Sequence, residues 1–182
     1  MDPLARAGVR VAWRQVSTGS VRREVAYALI RELAGDADLV LTQTCAHCGG
    51  AHGPVLASSE AIRVSVAYAR ARVSGDEVAV VAVAASDAVS ALGVDAEFEV
   101  DAVRDAAGVA EALGRSEADI LDWVRVEAAL KATGAGIRIT PADVRVEVQG
   151  DSWRAAVPGA AGPFTGVDVT RIPTLVVAVA FT

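Results

Sequence analysis

Lysine is nearly absent from this sequence of 182 residues, which contains sixteen arginines but a single lysine, Lys131. A lysine that is retained in a chain so biased towards arginine is a candidate for a specific chemical role. The chain also lacks an excess of positive charge, because its formal net charge is -6. Nucleic-acid binding depends on clustered cations that contact phosphates, so we expect no nucleic acid among the partners.

Long apolar runs are absent as well, although 53% of the residues are hydrophobic. The longest run, at 78–85, has the length of a strand and falls short of the roughly 20 residues of a membrane-spanning helix. The N-terminal segment lacks the basic and then apolar pattern of a signal peptide. We therefore expect a cytoplasmic protein that does not contact a membrane.

The order of the predicted elements divides the chain into two halves of similar length. Residue patterns predict strands at 8–16, 61–67, 77–84, 91–100, 137–139, 144–148, 153–157 and 175–181, and helices at 21–33, 101–114 and 116–133. The Gly- and Pro-rich segment 158–166 is predicted to be a loop. A boundary at 86–91 separates an N-terminal lobe, 1–88, from a C-terminal lobe, 89–182. The expected fold class is α+β, with two similar lobes that each contain a small antiparallel sheet packed with helices.

Two of the acidic residues on the strand predicted at 91–100 lie in the segment GVDAE at 93–97. Asp95 and Glu97 are two residues apart, so their side chains point to the same face of the strand. Two carboxylates on one face suit magnesium, which proteins commonly hold with one or two carboxylates plus phosphate oxygens. The alternative interpretation is a pair of solvated charges on an exposed strand.

The helix predicted at 116–133 carries a second group of functional candidates. Trp123, Glu127 and Lys131 are spaced by four residues, so they share one face of the helix. Glu127 is a candidate third metal ligand or general base, and Lys131 is a candidate partner for a phosphate. The alternative is an ordinary surface ion pair beside a half-buried tryptophan.

Taken together, these two segments resemble a family signature. The segment GVDAE is followed about thirty residues later by WVRVEAALKATGAGI at 123–137, and this pairing is similar to the signature of the phosphopantetheinyl transferases. The segment CAHCGGAHG at 45–53 also resembles a loop of the larger, two-lobed members. The resemblance implies two α+β lobes that form a pseudodimer about an approximate two-fold axis, with coenzyme A bound between them.

The resemblance also implies an activity. Members of the family transfer the 4'-phosphopantetheine arm of coenzyme A to a serine of an apo acyl or peptidyl carrier protein, with magnesium or manganese. Asp95, Glu97 and Glu127 match the metal ligands, and Glu127 and Lys131 match the catalytic helix residues. Coenzyme A and a carrier protein are the expected partners of a monomer. The alternative is a non-catalytic or weakened relative that binds coenzyme A, a nucleotide or a carrier protein.

The coenzyme A contacts depart from the family pattern at three places. Lys131, Ser65, Tyr68, His52 and Gly53 match coenzyme A-binding positions, but Tyr68 stands where the family usually has histidine. The family usually has a basic residue after the His-Gly pair and a lysine just before the helix glutamate, and the residues here are proline and valine. Each change removes a donor or a charge, and a charge-assisted contact contributes roughly 1.5–3 kcal/mol.

Arginines are the candidates to replace those contacts. The sequence offers Arg22, Arg23, Arg70 and Arg72 without selecting among them.

Cys45, His47, Cys48 and His52 form the remaining motif. Two cysteines and two histidines are a zinc ligand set, but all four lie within eight residues, which is closer than in typical zinc modules. We therefore expect a Gly-rich loop over the nucleotide site with reduced thiols and no metal, while zinc binding stays open. A disulfide is not expected in the cytoplasm.

Overall fold

The computed structural model describes residues 2–45, 48–100, 102–135, 138–170 and 172–182. The chain is a mixed α/β protein with small antiparallel sheets and a few helices. The helices are α1 (Pro3–Arg6), α2 (Arg22–Ala34), α3 (Ala106–Ala112) and α4 (Ile120–Ala132). The strands are β1 (Arg10–Gln15), β2 (Leu41–Thr42), β3 (Leu56–Ala57), β4 (Ile62–Arg70), β5 (Glu77–Ala85), β6 (Leu92–Phe98), β7 (Arg145–Gln149), β8 (Ser152–Ala156), β9 (Phe164–Asp168) and β10 (Leu175–Phe181). Within the described ranges, no helix is both long enough and apolar enough to cross a membrane.

The two larger sheets draw on different halves of the chain. The first has the strand order β1-β5-β4, and the second has the order β6-β10-β9-β8-β7. All strand pairs are antiparallel. The division into lobes 1–88 and 89–182 stays a prediction, since the sheets also pack against each other.

The central strand β5 explains why the sheets form two apolar layers. Its valine-rich sequence favours a strand because β-branched side chains fit the pleated surface. Val81 and Val83 face α2. Val80 and Ala82 point the other way and pack in the same apolar cluster as Val94 of the second sheet. On the far side of the second sheet, α4 packs against Ala178 and other β10 residues, completing a helix–sheet–sheet–helix arrangement.

Helix α4 begins one turn later than the sequence suggests. Asp119 is the N-cap, its Oδ1 accepts from the Asp122 N–H over 2.9 Å, and Asp122 Oδ2 accepts from the Asp119 N–H over 3.2 Å. This reciprocal capping box satisfies two N–H groups that a helix start leaves without partners. The expected start at Ser116 is therefore wrong.

Three other element predictions need correction. Strand β9 lies partly inside the predicted loop 158–166. Gly166, which suggested a loop, is instead required by packing, because a Cβ at this position would lie 2.1 Å from the Trp153 ring. Helix α3 is shorter than the predicted 101–114, whose first residue lies outside the described residues. Of the predicted strand 137–139, residue 137 is outside the described residues, and the other two are not in a strand.

Candidate active site

Glycine at position 93 lets α4 lie directly against β6. A Cβ atom on Gly93 would come within 2.0 Å of the Ala128 carbonyl oxygen and 2.5 Å of the Ala132 nitrogen, which is too close for non-bonded atoms. The first residue of the GVDAE segment therefore sets the spacing between strand and helix. Because Asp95 lies on the same face of β6 as Gly93, it is brought next to α4.

Lys131 on α4 bridges the two sheets. Its Nζ donates to Asp95 Oδ1 over 2.7 Å and to the Val66 carbonyl oxygen over 3.3 Å. Asp95 lies on β6 of the second sheet, and Val66 lies on β4 of the first. An ammonium has three N–H donors, so one donor remains after these two contacts.

Two polar side chains of the described residues are buried, Ser65 and Asp95, and both are site residues predicted from the sequence. Ser65 Oγ accepts a hydrogen bond from the Val94 N–H over 3.0 Å, which ties β4 to β6. Burial raises the pKa of Asp95 more than the neighbouring Lys131 lowers it. Each of the two therefore has a structural partner as well as a place in the predicted site.

Glu97 and Glu127 are half-buried near Asp95. Burial, followed by repulsion from Asp95, raises the pKa of Glu97 to about 7. The same two causes, in the same order, raise the pKa of Glu127. Lys131 and Arg104 act in the opposite direction on both side chains. The predicted carboxylate trio is thus close enough for its members to disfavour one another's charge.

The trio does not form a closed ligand set. In the part of the chain that the structure describes, three His, Cys, Asp or Glu ligand atoms lie within 4.8 Å of one another only in the loop around Cys45. The oxygen ligands of one magnesium ion are roughly 3 Å apart, because each is about 2.0–2.1 Å from the metal. Shared ligation by Asp95, Glu97 and Glu127 would need side-chain movement, and the ligand assignment stays a prediction.

A cleft of about 1080 Å³ opens beside these residues and is lined by both halves of the chain. Its volume is slightly above the roughly 300–1,000 Å³ usual for small-molecule sites. It brings together seven of the eight predicted site residues: His52, Gly53, Ser65, Tyr68, Asp95, Glu127 and Lys131. The eighth, Glu97, does not line the cleft, although its charge is coupled to the carboxylates that do.

Three arginines add positive charge to the cleft wall. Of the four candidates from the sequence, Arg22 and Arg23 line the cleft, whereas Arg70 and Arg72 do not. Arg63 also lines it and has no motif that would have selected it from the sequence. Its guanidinium bonds to backbone carbonyl oxygens at the cleft edge, which include that of Ser90 at 3.2 Å.

Tyr68 stands in the cleft wall with an unsatisfied hydroxyl. Its ring lies under the Arg22 guanidinium, whose central carbon is 4.7 Å from the ring centroid. The hydroxyl oxygen is buried and has no hydrogen-bond partner among the described residues. Burial raises the pKa of the phenol. Buried hydroxyls are usually paired, so a side-chain movement that opens this hydroxyl to the cleft would let it donate to a ligand.

One departure from the family pattern has a packing explanation. Val126 stands where the family usually has lysine. It is completely buried against the second sheet and does not line the cleft. In this chain, a charge at Val126 would face the core. The valine therefore removes no cation from the cleft.

The cysteine motif lies at the rim of the same cleft. Cys45 and Cys48 are not joined by a disulfide. Cys48 Sγ is 2.9 Å from His52 Nε2, and His52 lines the cleft. His47, the fourth residue of the motif, lies outside the described residues.

Arg104 is the second arginine, after Arg63, that sequence reasoning missed, and it lies near the carboxylates. The guanidinium of Arg104 stacks on the Trp123 ring, with its central carbon 4.5 Å from the centroid. This contact explains how a residue ahead of α3 acts on Glu97 and Glu127. No spacing rule connects Arg104 to the helix motif, so only the tertiary structure identifies it.

A comparison of the chain with protein-family models finds no matching family, and a comparison with curated proteins finds no match. The function is therefore inferred from the side chains and the cleft.

Proposed function

We propose that this protein is a phosphopantetheinyl transferase of the two-lobed type. It acts in the cytoplasm as a monomer on an apo acyl or peptidyl carrier protein. The observation that carries this proposal is the cleft, in which residues from four separated sequence segments meet: the loop at 45–53, strand β4, strand β6 and helix α4. These are the segments in which the sequence resembles the family.

The strand topology supports a pseudodimer. In the first sheet, β1 pairs with the last strand of its half, β5, which pairs with β4. In the second sheet, β6 pairs with the last strand of its half, β10, which pairs with β9. In each half, a 13-residue helix between the first strand and the later ones packs on the sheet, α2 in one and α4 in the other. This shared order is the basis for proposing an approximate two-fold relation.

The donor chemistry near Lys131 fits a magnesium or manganese ion. Asp95, Glu97 and Glu127 supply hard oxygen donors, and burial, followed by repulsion from neighbouring carboxylates, raises the pKa of Glu97 and Glu127. A divalent cation would relieve that repulsion. When bound, the ion would neutralise charge on the pyrophosphate of coenzyme A and polarise the bond that breaks.

The remaining groups have distinct roles in the proposed transfer. Glu127 accepts the proton of the carrier serine as a general base. The serine oxygen then bonds to the phosphorus that carries pantetheine, and adenosine 3',5'-bisphosphate leaves. Lys131 offers its remaining donor to a phosphate, and Arg22, Arg23 and Arg63 offer guanidinium groups to the phosphates of coenzyme A.

The direct test incubates the purified protein with coenzyme A, magnesium and apo carrier proteins from fatty-acid, polyketide and peptide synthesis. The expected result is a carrier whose intact mass rises by one phosphopantetheine group. A carrier with its acceptor serine replaced by alanine should remain unmodified. Failure of the wild-type protein to modify any carrier in the set would contradict the transferase proposal.

A binding module is the second candidate, and one observation favours it. Lys131 is already paired with Asp95 at 2.7 Å, so the lysine and a metal compete for the same carboxylate. Such a relative would bind coenzyme A in the cleft without transferring its arm. Calorimetric titration with coenzyme A, combined with the carrier assay, separates the two candidates, because binding without carrier modification supports the module and transfer excludes it.

A further inference from the structure

The loop at the rim of the cleft gathers the ligand atoms of three residues that bind soft metals. Cys45, Cys48 and His52 each offer one atom, and these atoms all lie within 4.8 Å of one another. Cys48 Sγ and His52 Nε2 are 2.9 Å apart. The side chains come from three positions spread over eight residues, so their convergence is produced by the backbone of the loop.

Backbone hydrogen bonds fold the loop back on itself. The Gly49 N–H donates to the Cys45 carbonyl oxygen over 2.8 Å, and the Cys45 N–H donates to the Gly50 carbonyl oxygen over 2.8 Å. Gly49 has φ of 70°, a conformation that L side chains rarely adopt, which lets the chain reverse directly after Cys48. The His52 N–H then donates to the Gly50 carbonyl oxygen over 2.9 Å and returns His52 towards the cysteines.

The glycine at position 50 leaves room for the cluster. A Cβ atom on Gly50 would lie 3.1 Å from the His52 ring and 3.3 Å from Cys48 Sγ. Any larger residue would therefore press on both side chains. The close spacing that argued against zinc in the sequence is thus compatible with convergence, because the glycines reverse the chain between the ligands.

We propose that Cys45, Cys48 and His52 bind a zinc ion. Two thiolates and one imidazole are soft and borderline ligands that select zinc over magnesium. Three protein ligands leave one tetrahedral position for a water molecule or a further side chain. This site is separate from the carboxylate trio, whose oxygen donors suit the hard cations, and it does not depend on transferase activity.

The bound ion would fix one wall of the cleft. The loop is already tied to its surroundings, since Gln43 Nε2 donates to the Gly53 carbonyl oxygen over 2.7 Å and Arg23 donates to the Ala51 carbonyl oxygen. Both His52 and Gly53 line the cleft. Zinc ligation by Nε2 would occupy the His52 atom that now lies beside Cys48, so His52 would shape the cleft instead of contacting coenzyme A through that nitrogen.

Metal analysis of untagged protein, expressed with sufficient zinc and dialysed under reducing conditions against a mild chelator, tests the site. About one zinc per chain is expected, as for one tetrahedral site. After metal removal, cobalt should bind and give the strong visible and thiolate charge-transfer absorption of a tetrahedral site. The Cys45→Ser/Cys48→Ser variant should lose both the zinc and the cobalt spectrum.

Glu127→Gln is the matched control, because it alters the carboxylate trio and should retain zinc. If the serine variant fails to fold, cobalt titration of the metal-free wild type still decides the question. Wild-type protein that contains no zinc and gives no cobalt–thiolate spectrum would overturn the proposal, and so would full zinc content in a folded serine variant. Neither result bears on carrier modification, which is measured separately.

Discussion

The ammonium of Lys131 lies 2.7 Å from Asp95 Oδ1, and the same nitrogen lies 3.3 Å from the Val66 carbonyl oxygen. One side chain of α4 therefore connects a buried carboxylate of β6 to the backbone of β4. The only lysine of the sequence thus occupies a position where it stabilises the contact between the sheets and, in our proposal, serves the phosphates of coenzyme A.

Replacing Lys131 by methionine should lower the free energy of unfolding by about 1–3 kcal/mol, because it leaves Asp95 buried without its partner. Methionine keeps most of the aliphatic stem, so packing changes little. The raised pKa of Asp95 limits the loss, since the carboxyl can take up a proton. Urea denaturation of the wild type and the variant measures the difference.

The double variant Lys131→Met/Asp95→Asn is the control for this pair. Because it removes both charges, it should cost less than the sum of the two single substitutions. Additive costs would show that the pair does not stabilise the fold. Lys131→Ala should in addition weaken coenzyme A binding, because the chain has no other lysine to replace it.

Glu127→Gln should abolish phosphopantetheine transfer while stability changes little. Glutamine keeps the size and helix propensity of glutamate, but it cannot accept a proton and is a poorer ligand for a cation. Transfer is measured by intact mass on a carrier that the wild type modifies. Glu111→Gln, on the exposed face of α3, is the matched control and should retain activity. Transfer at the wild-type rate by Glu127→Gln would remove Glu127 from the catalytic site.

Sequence reasoning succeeded where local pattern and tertiary packing agree. Strand β10 has the predicted bounds because its apolar run is buried on both faces. Strand β9 was missed because glycine and proline suggest a loop, whereas Gly166 is needed to accommodate the Trp153 ring from β8. The start of α4 was misplaced because Ser116 and Asp119 are each followed by an acidic residue at the third position, and spacing alone does not choose between them.

The candidate site was also predictable only in part. Helical spacing placed Glu127 and Lys131 on one face, and both line the cleft. The pairing of Lys131 with Asp95 depends on how closely α4 approaches Gly93, which is a long-range contact. Arg63 carries no motif, so its place in the cleft wall could not be foreseen.

Gly93→Ala should destabilise the protein by about 1–3 kcal/mol or more, the usual cost of overpacking. The new methyl group would lie 2.0 Å from the Ala128 carbonyl oxygen, so α4 must move away from β6. Thermal denaturation measures the loss. Gly162→Ala is the control, because a Cβ at position 162 has no neighbour within 4 Å. Equal stability of both variants would contradict the close approach of α4.

Glu97→Gln should stabilise the metal-free protein at high pH. The pKa of Glu97 is raised from 4.5 to about 7 in the folded protein, so the unfolded chain loses its proton first as the pH rises. The contribution of Glu97 to the free energy of unfolding of the wild type is therefore fully present below pH 4.5 and is lost as the pH rises to about 7. Relative to wild type, the variant should gain stability across that window and keep the gain above it.

Urea denaturation between pH 4 and pH 8, with a chelator present, tests the role of Glu97 in this window. Glu147→Gln, on the exposed side of β7, controls for the loss of one negative charge. The prediction for Glu97 fails if its variant and the control show the same pH dependence relative to wild type.

Tyr68→Phe separates a structural role of the hydroxyl from a role in ligand binding. The hydroxyl is buried without a partner among the described residues, and such a group costs stability. Removing it should therefore leave the free energy of unfolding unchanged or raise it. Coenzyme A binding should weaken by about 0.5–1.5 kcal/mol, the net contribution of one hydrogen bond, which is roughly a twofold to tenfold rise in Kd.

The substitution is informative because stability and coenzyme A affinity are expected to change in different directions. Removal of a merely structural hydroxyl would lower the free energy of unfolding and leave coenzyme A binding unchanged. Phenylalanine keeps the ring on which the Arg22 guanidinium stacks, so the position of that cation is preserved. Calorimetric titration with coenzyme A and urea denaturation provide the two measurements. A variant that binds coenzyme A as tightly as wild type would show that the Tyr68 hydroxyl does not contact the ligand, and the histidine position of the family would then have no functional counterpart here.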